Sequence, residues 1–224
     1  MLEDWNAWAI ALIAVLGYLF GNLQTAMLIS KLYFHDDIRR YGSGNAGSTN
    51  MLRVYGKLFG LATLLGDALK CVLAVLAGRW LGQLLGLHID PYTARQLGGY
   101  IAGLAVLIGH CFPVFFGFKG GKGAASALAY IWLLCPLAAL FTTVCCLIVL
   151  VLTRKISLVS IMGAVLFPMF TGILLLSPAY AAQHPYLIYF TVAGSALVLL
   201  RHIPNIRRLI SGEEKNIAEP KKKN

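Results

Sequence analysis

Apolar positions in this chain neither alternate nor recur every third or fourth place; they run on. Trp8 to Ile29, Leu58 to Leu81 and Leu97 to Phe118 are each long enough and apolar enough to cross the hydrocarbon core of a bilayer, which takes about 20 helical residues. Ile156 to Leu176 and Tyr186 to Leu200 are two further candidates. Ala124 to Leu152 is too long for one comfortable helix and carries Pro136 near its middle, where a helix interior breaks.

Charge decides how these spans are threaded. All the lysines and arginines except Lys70, Arg79 and Arg95 fall in four clusters: Lys31 to Lys57, Lys119 with Lys122, Arg154 with Lys155, and the stretch from Arg201 onward. Basic loops stay on the cytoplasmic side, so each pair of neighbouring clusters needs an even number of crossings between them. Ala124 to Leu152 must therefore go in and come back, turning near Cys135 and Pro136. Each arm would span roughly 20 Å against a core of about 30 Å, so short or re-entrant helices are expected. The expectation is an all-α membrane protein of about seven helices, two of them short or re-entrant, with the N-terminus outside and the C-terminus inside.

A composition of 58% hydrophobic and 12% charged residues lies outside the range of ordinary globular domains, and no polar stretch is long enough for a second one. Residues 1–224 read as a single membrane domain. The acidic opening "MLEDWNAW" is unlike a signal peptide, so the first apolar segment is expected to stay in the mature protein. The five cysteines lie in or beside apolar segments without CxxC spacing or nearby histidine pairs, which reads as small core residues and no metal.

Three cytoplasmic stretches carry polar chemistry. In "YGSGNAGSTN", Gly42, Gly44 and Gly47 let backbone amides converge on an anion; Ser43, Asn45, Ser48, Thr49 and Asn50 add neutral donors, and Arg53 adds charge. A solvated turn would have the same composition. In "GHCFPVFFGFKGGKGAA", Lys119, Gly120, Gly121, Lys122 and Gly123 precede an apolar helix, as in a phosphate loop at a helix N-terminus. No hydroxyl follows Lys122, so this is not a Walker A sequence, and a snorkelling lysine pair is the plainer alternative. His110 fits either a ligand or a hydrogen-bonded structural role. The third stretch is split between "RKISLVS", with Ser160, and "RHIPNIRRLISGEEK", with Arg201, His202 and Asn205. A basic flank explains Arg207 and Arg208 but explains His202 and Asn205 poorly. Asp67 and Lys70, three apart inside a span, share a helical face; intramembrane charge invites a functional reading, and a structural bridge is the plainer one.

Taken in order, "GSGNAGSTNMLR", "GHCFPVFFGFKGGKGAA" and "RHIPNIRRLISGEE", with "SLVS" before the last, resemble the bacterial acyl-phosphate:glycerol-3-phosphate acyltransferases over nearly the whole chain. Ile203 and Pro204 stand where that family usually has a further arginine. The resemblance implies an inner-membrane enzyme, its active site facing the cytoplasm, that moves a fatty acyl group from acyl phosphate to the sn-1 hydroxyl of glycerol 3-phosphate. It implies that Ser43, Arg53, Lys122, Ser160, His202 and Asn205 hold glycerol 3-phosphate, and that Gly120 and Gly121 receive the acyl phosphate with Thr49 nearby. Asn45, Asn50, His110, Lys119, Gly123 and Arg201 join them as substrate-binding positions. No cofactor, metal or nucleic acid is implied, membrane lipid is the surroundings, and a monomer is expected to suffice.

The residues themselves speak to mechanism. The three motif cores contain no Asp or Glu before Glu213 to orient a histidine, and no HxxxxD signature occurs. Acyl phosphate carries a good leaving group, so positioning and charge stabilisation do most of the work. The second pKa of a phosphate monoester lies near 6, so the phosphate of glycerol 3-phosphate can take the hydroxyl proton; His202 or His110 as general base is the alternative. An organic-phosphate transporter would also be polytopic and basic, though inverted repeats and broken midplane helices would then be expected. A CDP-alcohol phosphotransferase would need an aspartate-rich metal motif that the chain lacks.

Overall fold

In the computed structural model, which describes residues 6–88 and 90–217, the chain forms eleven α-helices and no strand among the described residues. They are α1 (Ala7–Asn22), α2 (Thr25–Tyr33), α3 (Ser48–Tyr55), α4 (Lys57–Leu84), α5 (Pro91–Cys111), α6 (Ala124–Leu134), α7 (Pro136–Thr153), α8 (Ile156–Leu174), α9 (Pro178–Gln183), α10 (Leu187–Arg201) and α11 (Ile203–Ile210). This corrects the expected seven. Among the described residues four helices are long and apolar enough to cross a membrane, or up to six spans if each bent pair counts as one. The extra helices arise from the bends, 40° between α1 and α2 and 58° between α10 and α11, and from the short helices α3 and α9.

The break expected near Pro136 falls at Cys135, whose N–H caps Ile131 O while Pro136 opens the next helix. The two arms are unequal, which corrects the second expectation: α6 has 11 residues, but α7 has 18 and is long enough to span alone. Proline at the first position of a helix is favourable, so Pro136 starts α7 where in a helix interior it would have cost a hydrogen bond.

Helix α5 is the central rod and packs most extensively on α4 and α1, which also touch each other. Small residues let the backbones close up, as in other membrane bundles: a Cβ on Gly82 would lie 2.9 Å from Gly98 Cα, and one on Gly21 would lie 2.8 Å from Gly109 Cα. Tyr100, Tyr130 and Phe167 fill the space between α5, α6 and α8. Outward, Val151 and Leu152 of α7 are 75% and 77% exposed. Such a surface costs about 25 cal/mol per Å² in water, a cost that lipid removes.

The four basic clusters meet at one end of the bundle. Arg39 donates to Phe116 O (2.9 Å) and Lys119 O (3.3 Å), Arg53 donates to Asn216 O (3.1 Å), and Ile217 N–H reaches Arg154 O at 2.9 Å. The last lysines of the fourth cluster, Lys221, Lys222 and Lys223, lie outside the described residues.

Candidate functional site

A cavity of about 1350 Å³ opens at that basic end. Four helix N-termini converge on it: α3 through Ser48 and Thr49, α6 through Ala124 and Ala125, α8 through Ile156 and Ser157, and α11 through His202 and Asn205. First-turn amides have no intrahelical acceptor and carry the positive end of the helix dipole, so the backbone alone makes this a place for anions. Arg40, Arg53, Lys122, Arg208 and Lys215 line the same space.

Each N-terminus is set by local chemistry. Gly42 adopts φ +62°, a left-handed conformation with Asn50 against its Cα; that turn lets Asn50 Oδ1 accept from Ser43 N–H at 2.8 Å while its Nδ2 donates to Tyr41 O at 3.0 Å. Asn50 is thus the clasp of the first loop. Gly123, at φ +80°, starts α6 and aims Lys122 at the cavity. Lys122 Nζ donates to Asn205 Oδ1, and Asn205 Nδ2 donates to Ser157 Oγ (2.5 Å) and Glu214 Oε1 (3.0 Å). Burial, with Arg208 beside it, pushes the Lys122 ammonium down to about 8 despite the opposing Glu214 carboxylate.

Of the positions chosen from sequence, Ser43, Asn45, Thr49, Asn50 and Arg53 line the cavity from the first loop. His110, Lys122, Gly123, Ser160, His202 and Asn205 line it from the others. Lys119, Gly120, Gly121 and Arg201 are not on its wall. Arg201 instead donates to Gly120 O (3.3 Å) and Gly121 O (3.1 Å) and stacks over Phe112, 5.0 Å from the ring centroid, fastening the glycine loop to α10.

Glu214, Ser157 and Asp67 are among the wall residues that the sequence did not mark as such. Glu214 accepts from Ser157 Oγ and Asn205 and pairs with Arg208 at 2.7 Å. Burial raises its pKa, but hydrogen bonds from Ser157, Arg208 and Asn205 outweigh this and hold it below the usual carboxylate range. In "RKISLVS" the sequence points to Ser160; here Ser157 joins the polar network and Ser160 back-bonds to Ile156 O. Asp67 also lines the cavity and pairs with Lys70 at 2.8 Å, as its spacing suggested, with His110 Nδ1 3.7 Å away. Neither carboxylate touches His202, whose Nδ1 faces Val198 O at 2.8 Å.

A second, apolar groove of about 610 Å³ runs between α4, α6, α7, α8 and α10. It shares Ser48, Thr49, Ala124, Ala125, Ile156 and Ser160 with the polar cavity. The fold and site together define a multi-pass membrane protein that presents an anion cavity continuous with a hydrophobic channel. The glycerol-3-phosphate acyltransferase family profile matches residues 11–212, and the chain belongs to that family. A glycerol-3-phosphate acyltransferase of Neisseria meningitidis serogroup A is 43% identical over 205 residues, covering 90% of this chain and 94% of that protein. One from Clostridioides difficile is 37% identical, covering 94% and 96%. The crystal structure of PlsY (YgiH), an integral membrane glycerol 3-phosphate acyltransferase, in its glycerol 3-phosphate form superposes with a TM-score of 0.75 at 32% identity, covering 92% of this chain and 94% of that one.

Proposed function

We propose that the protein transfers a fatty acyl group from acyl phosphate to the sn-1 hydroxyl of glycerol 3-phosphate, releasing lysophosphatidic acid and phosphate. The observation that carries this reading is the continuity of the anion cavity with the apolar groove through one shared strip of wall. A phosphorylated headgroup suits the first, an acyl chain the second, and an acyl carbonyl would lie at the junction, beside Ser48, Thr49 and Ser160. Ser43, Arg53, Lys122, Ser160, His202 and Asn205 hold glycerol 3-phosphate, with Asn45 and Asn50 shaping their loop. Lys119, Gly120, Gly121, Gly123 and Arg201 form and brace the loop that receives the acyl phosphate, and His110 and Thr49 flank it. A monomer is proposed to suffice.

In the reaction the sn-1 oxygen attacks the acyl carbon, the carbon–oxygen bond to phosphate breaks, and the hydroxyl proton passes to the phosphate of glycerol 3-phosphate. His202 donates Nδ1–H to the Val198 carbonyl, which leaves Nε2 as an acceptor that orients glycerol 3-phosphate through its sn-2 hydroxyl while the sn-1 proton goes to the phosphate. His202→Asn keeps an acceptor but is no base near neutral pH. It is expected to retain an appreciable fraction of turnover, with glycerol a very poor acceptor substrate. Complete inactivity with normal glycerol 3-phosphate affinity would assign proton removal to His202.

The basic loops, and with them the cavity, face the cytoplasm of a bacterial inner membrane, with the N-terminus on the other side. One assay tests the whole reading: purified protein in sealed vesicles of either orientation, radiolabelled glycerol 3-phosphate added outside, and acyl phosphate, acyl-CoA or acyl carrier protein as donor. Lysophosphatidic acid is expected from acyl phosphate alone, and only in inside-out vesicles. Comparable rates with acyl-CoA would sink the donor assignment, and uptake without conversion would point to transport.

A further inference from the structure

Beneath the glycine loop lies a buried polar cluster that the transfer chemistry above does not use. Lys70, 5% exposed in the middle of α4, places Nζ 2.8 Å from Asp67 Oδ1, 2.8 Å from Leu23 O, 3.2 Å from Gly21 O and 2.9 Å from His110 Nδ1. Asp67 also accepts from Thr25 Oγ1 at 3.1 Å, at the start of α2. The three oxygens can only accept, so Lys70 is present as the ammonium, which has donors and no acceptor. His110 Nδ1 must then be the bare nitrogen, and the imidazole proton sits on Nε2.

The other side of the ring faces the site. His110 lines the anion cavity, and its Cε1 would lie 2.9 Å from a Cβ built on Gly121, with Nε2 against the same point. No acceptor among the described residues meets Nε2. The ring is also held from behind, since Gln24 donates to His110 O at 2.8 Å and Gly121 N–H donates to it at 3.1 Å.

We infer that His110 is a hydrogen-bond donor to an anionic oxygen of the acyl donor, and that Lys70 and Asp67 are positioning residues that fix its tautomer. The kinetic consequence rests on the acyl-transfer reading; the tautomer does not. Lys70→Met leaves the Asp67 carboxylate, 3.7 Å away, as the nearest charged partner of Nδ1. A carboxylate only accepts, so the proton moves to Nδ1 and Nε2 turns a lone pair toward the anion. Lys70→Arg keeps donors at Nδ1, and Asp67→Leu with Lys70→Met removes the group that drives the flip.

The test is 15N NMR of histidine-labelled protein in detergent, with the His110 signals assigned by their loss in His110→Gln. The wild-type protein is expected to show the proton on Nε2, and Lys70→Met to show it on Nδ1. With acyl phosphate as donor, Lys70→Met should lose roughly 10²-fold in kcat, as when one preorganised donor is removed, while KM for glycerol 3-phosphate stays near wild type. Lys70→Arg should keep the wild-type tautomer and most of the turnover, and the double variant should recover part of the loss. A wild-type His110 protonated on Nδ1, or an unchanged tautomer in Lys70→Met, overturns the inference; the first reading decides even if Lys70→Met does not fold. A wild-type protein that shows the expected tautomer but makes no lysophosphatidic acid would sink the acyl-transfer reading and leave the tautomer assignment standing.

Discussion

Lys122→Ala is expected to remove nearly all acyl transfer, a loss of roughly 10³-fold in kcat/KM. Two effects add. Of the two lysines on the loop that opens α6, Lys122 is the one on the cavity wall, and charge-assisted contacts to phosphate in a water-poor site are about twice as strong as neutral ones. Lys122 also holds Asn205, through the donation to Oδ1, in the network with Ser157 and Glu214. The pH profile separates charge from geometry. With its pKa depressed to about 8, Lys122 is charged below that pH and neutral above it in the substrate-free enzyme, so kcat/KM should decline above about pH 8. Lys122→Arg stays charged throughout and should lose that alkaline limb even if its turnover is lower. The linkage has the opposite sign to a favourable ion pair: below pH 8 the buried ammonium destabilises the empty fold, and the penalty fades as pH rises toward the ordinary 10.5. An alkaline limb that survives in Lys122→Arg would assign it to another group.

Glu214→Ala should give the largest loss of stability. Its carboxylate, in a residue 8% exposed, is the acceptor for Ser157, Asn205 and Arg208. Without it the buried donors of Ser157 and Asn205 lose an acceptor, at about 1–3 kcal/mol each, while Arg208, with its side chain 39% exposed, is re-solvated and adds little. In a chain of this size the loss corresponds to roughly 10 °C in the midpoint of thermal unfolding. The segment after α11 should come loose as well, with Arg53 losing its hold on Asn216 O and Ile217 its bond to Arg154 O. Glu214→Gln keeps an acceptor and should fall between. Because the folded pKa lies below the ordinary glutamate value, this stability is present above that value and is lost as pH falls through the folded one. Thermal unfolding in detergent at neutral and acid pH measures both; an Ala variant that melts with the wild type would refute the role.

The sequence by itself determined the class and most of the site wall. Long apolar runs have no use outside a bilayer, and glycines, hydroxyls and cations concentrated in three short stretches mark where polar chemistry is kept. The break at Cys135 was also legible, because proline cannot lie in a helix interior. The bend between α1 and α2 was not. No proline or glycine pair lies at Leu23 and Gln24; the carbonyls of Gly21 and Leu23 are freed because Lys70, on another helix, satisfies them. Glu214 read as tail, since nothing in "SGEEK" says that it folds back onto Asn205 and Ser157. Arg201 and Lys122 are both cations in the polar stretches, yet one braces the glycine loop from behind and the other faces the cavity. Which way a side chain points, and which distant carbonyl or carboxylate it meets, is fixed by how the helices pack, and local composition carries no record of that.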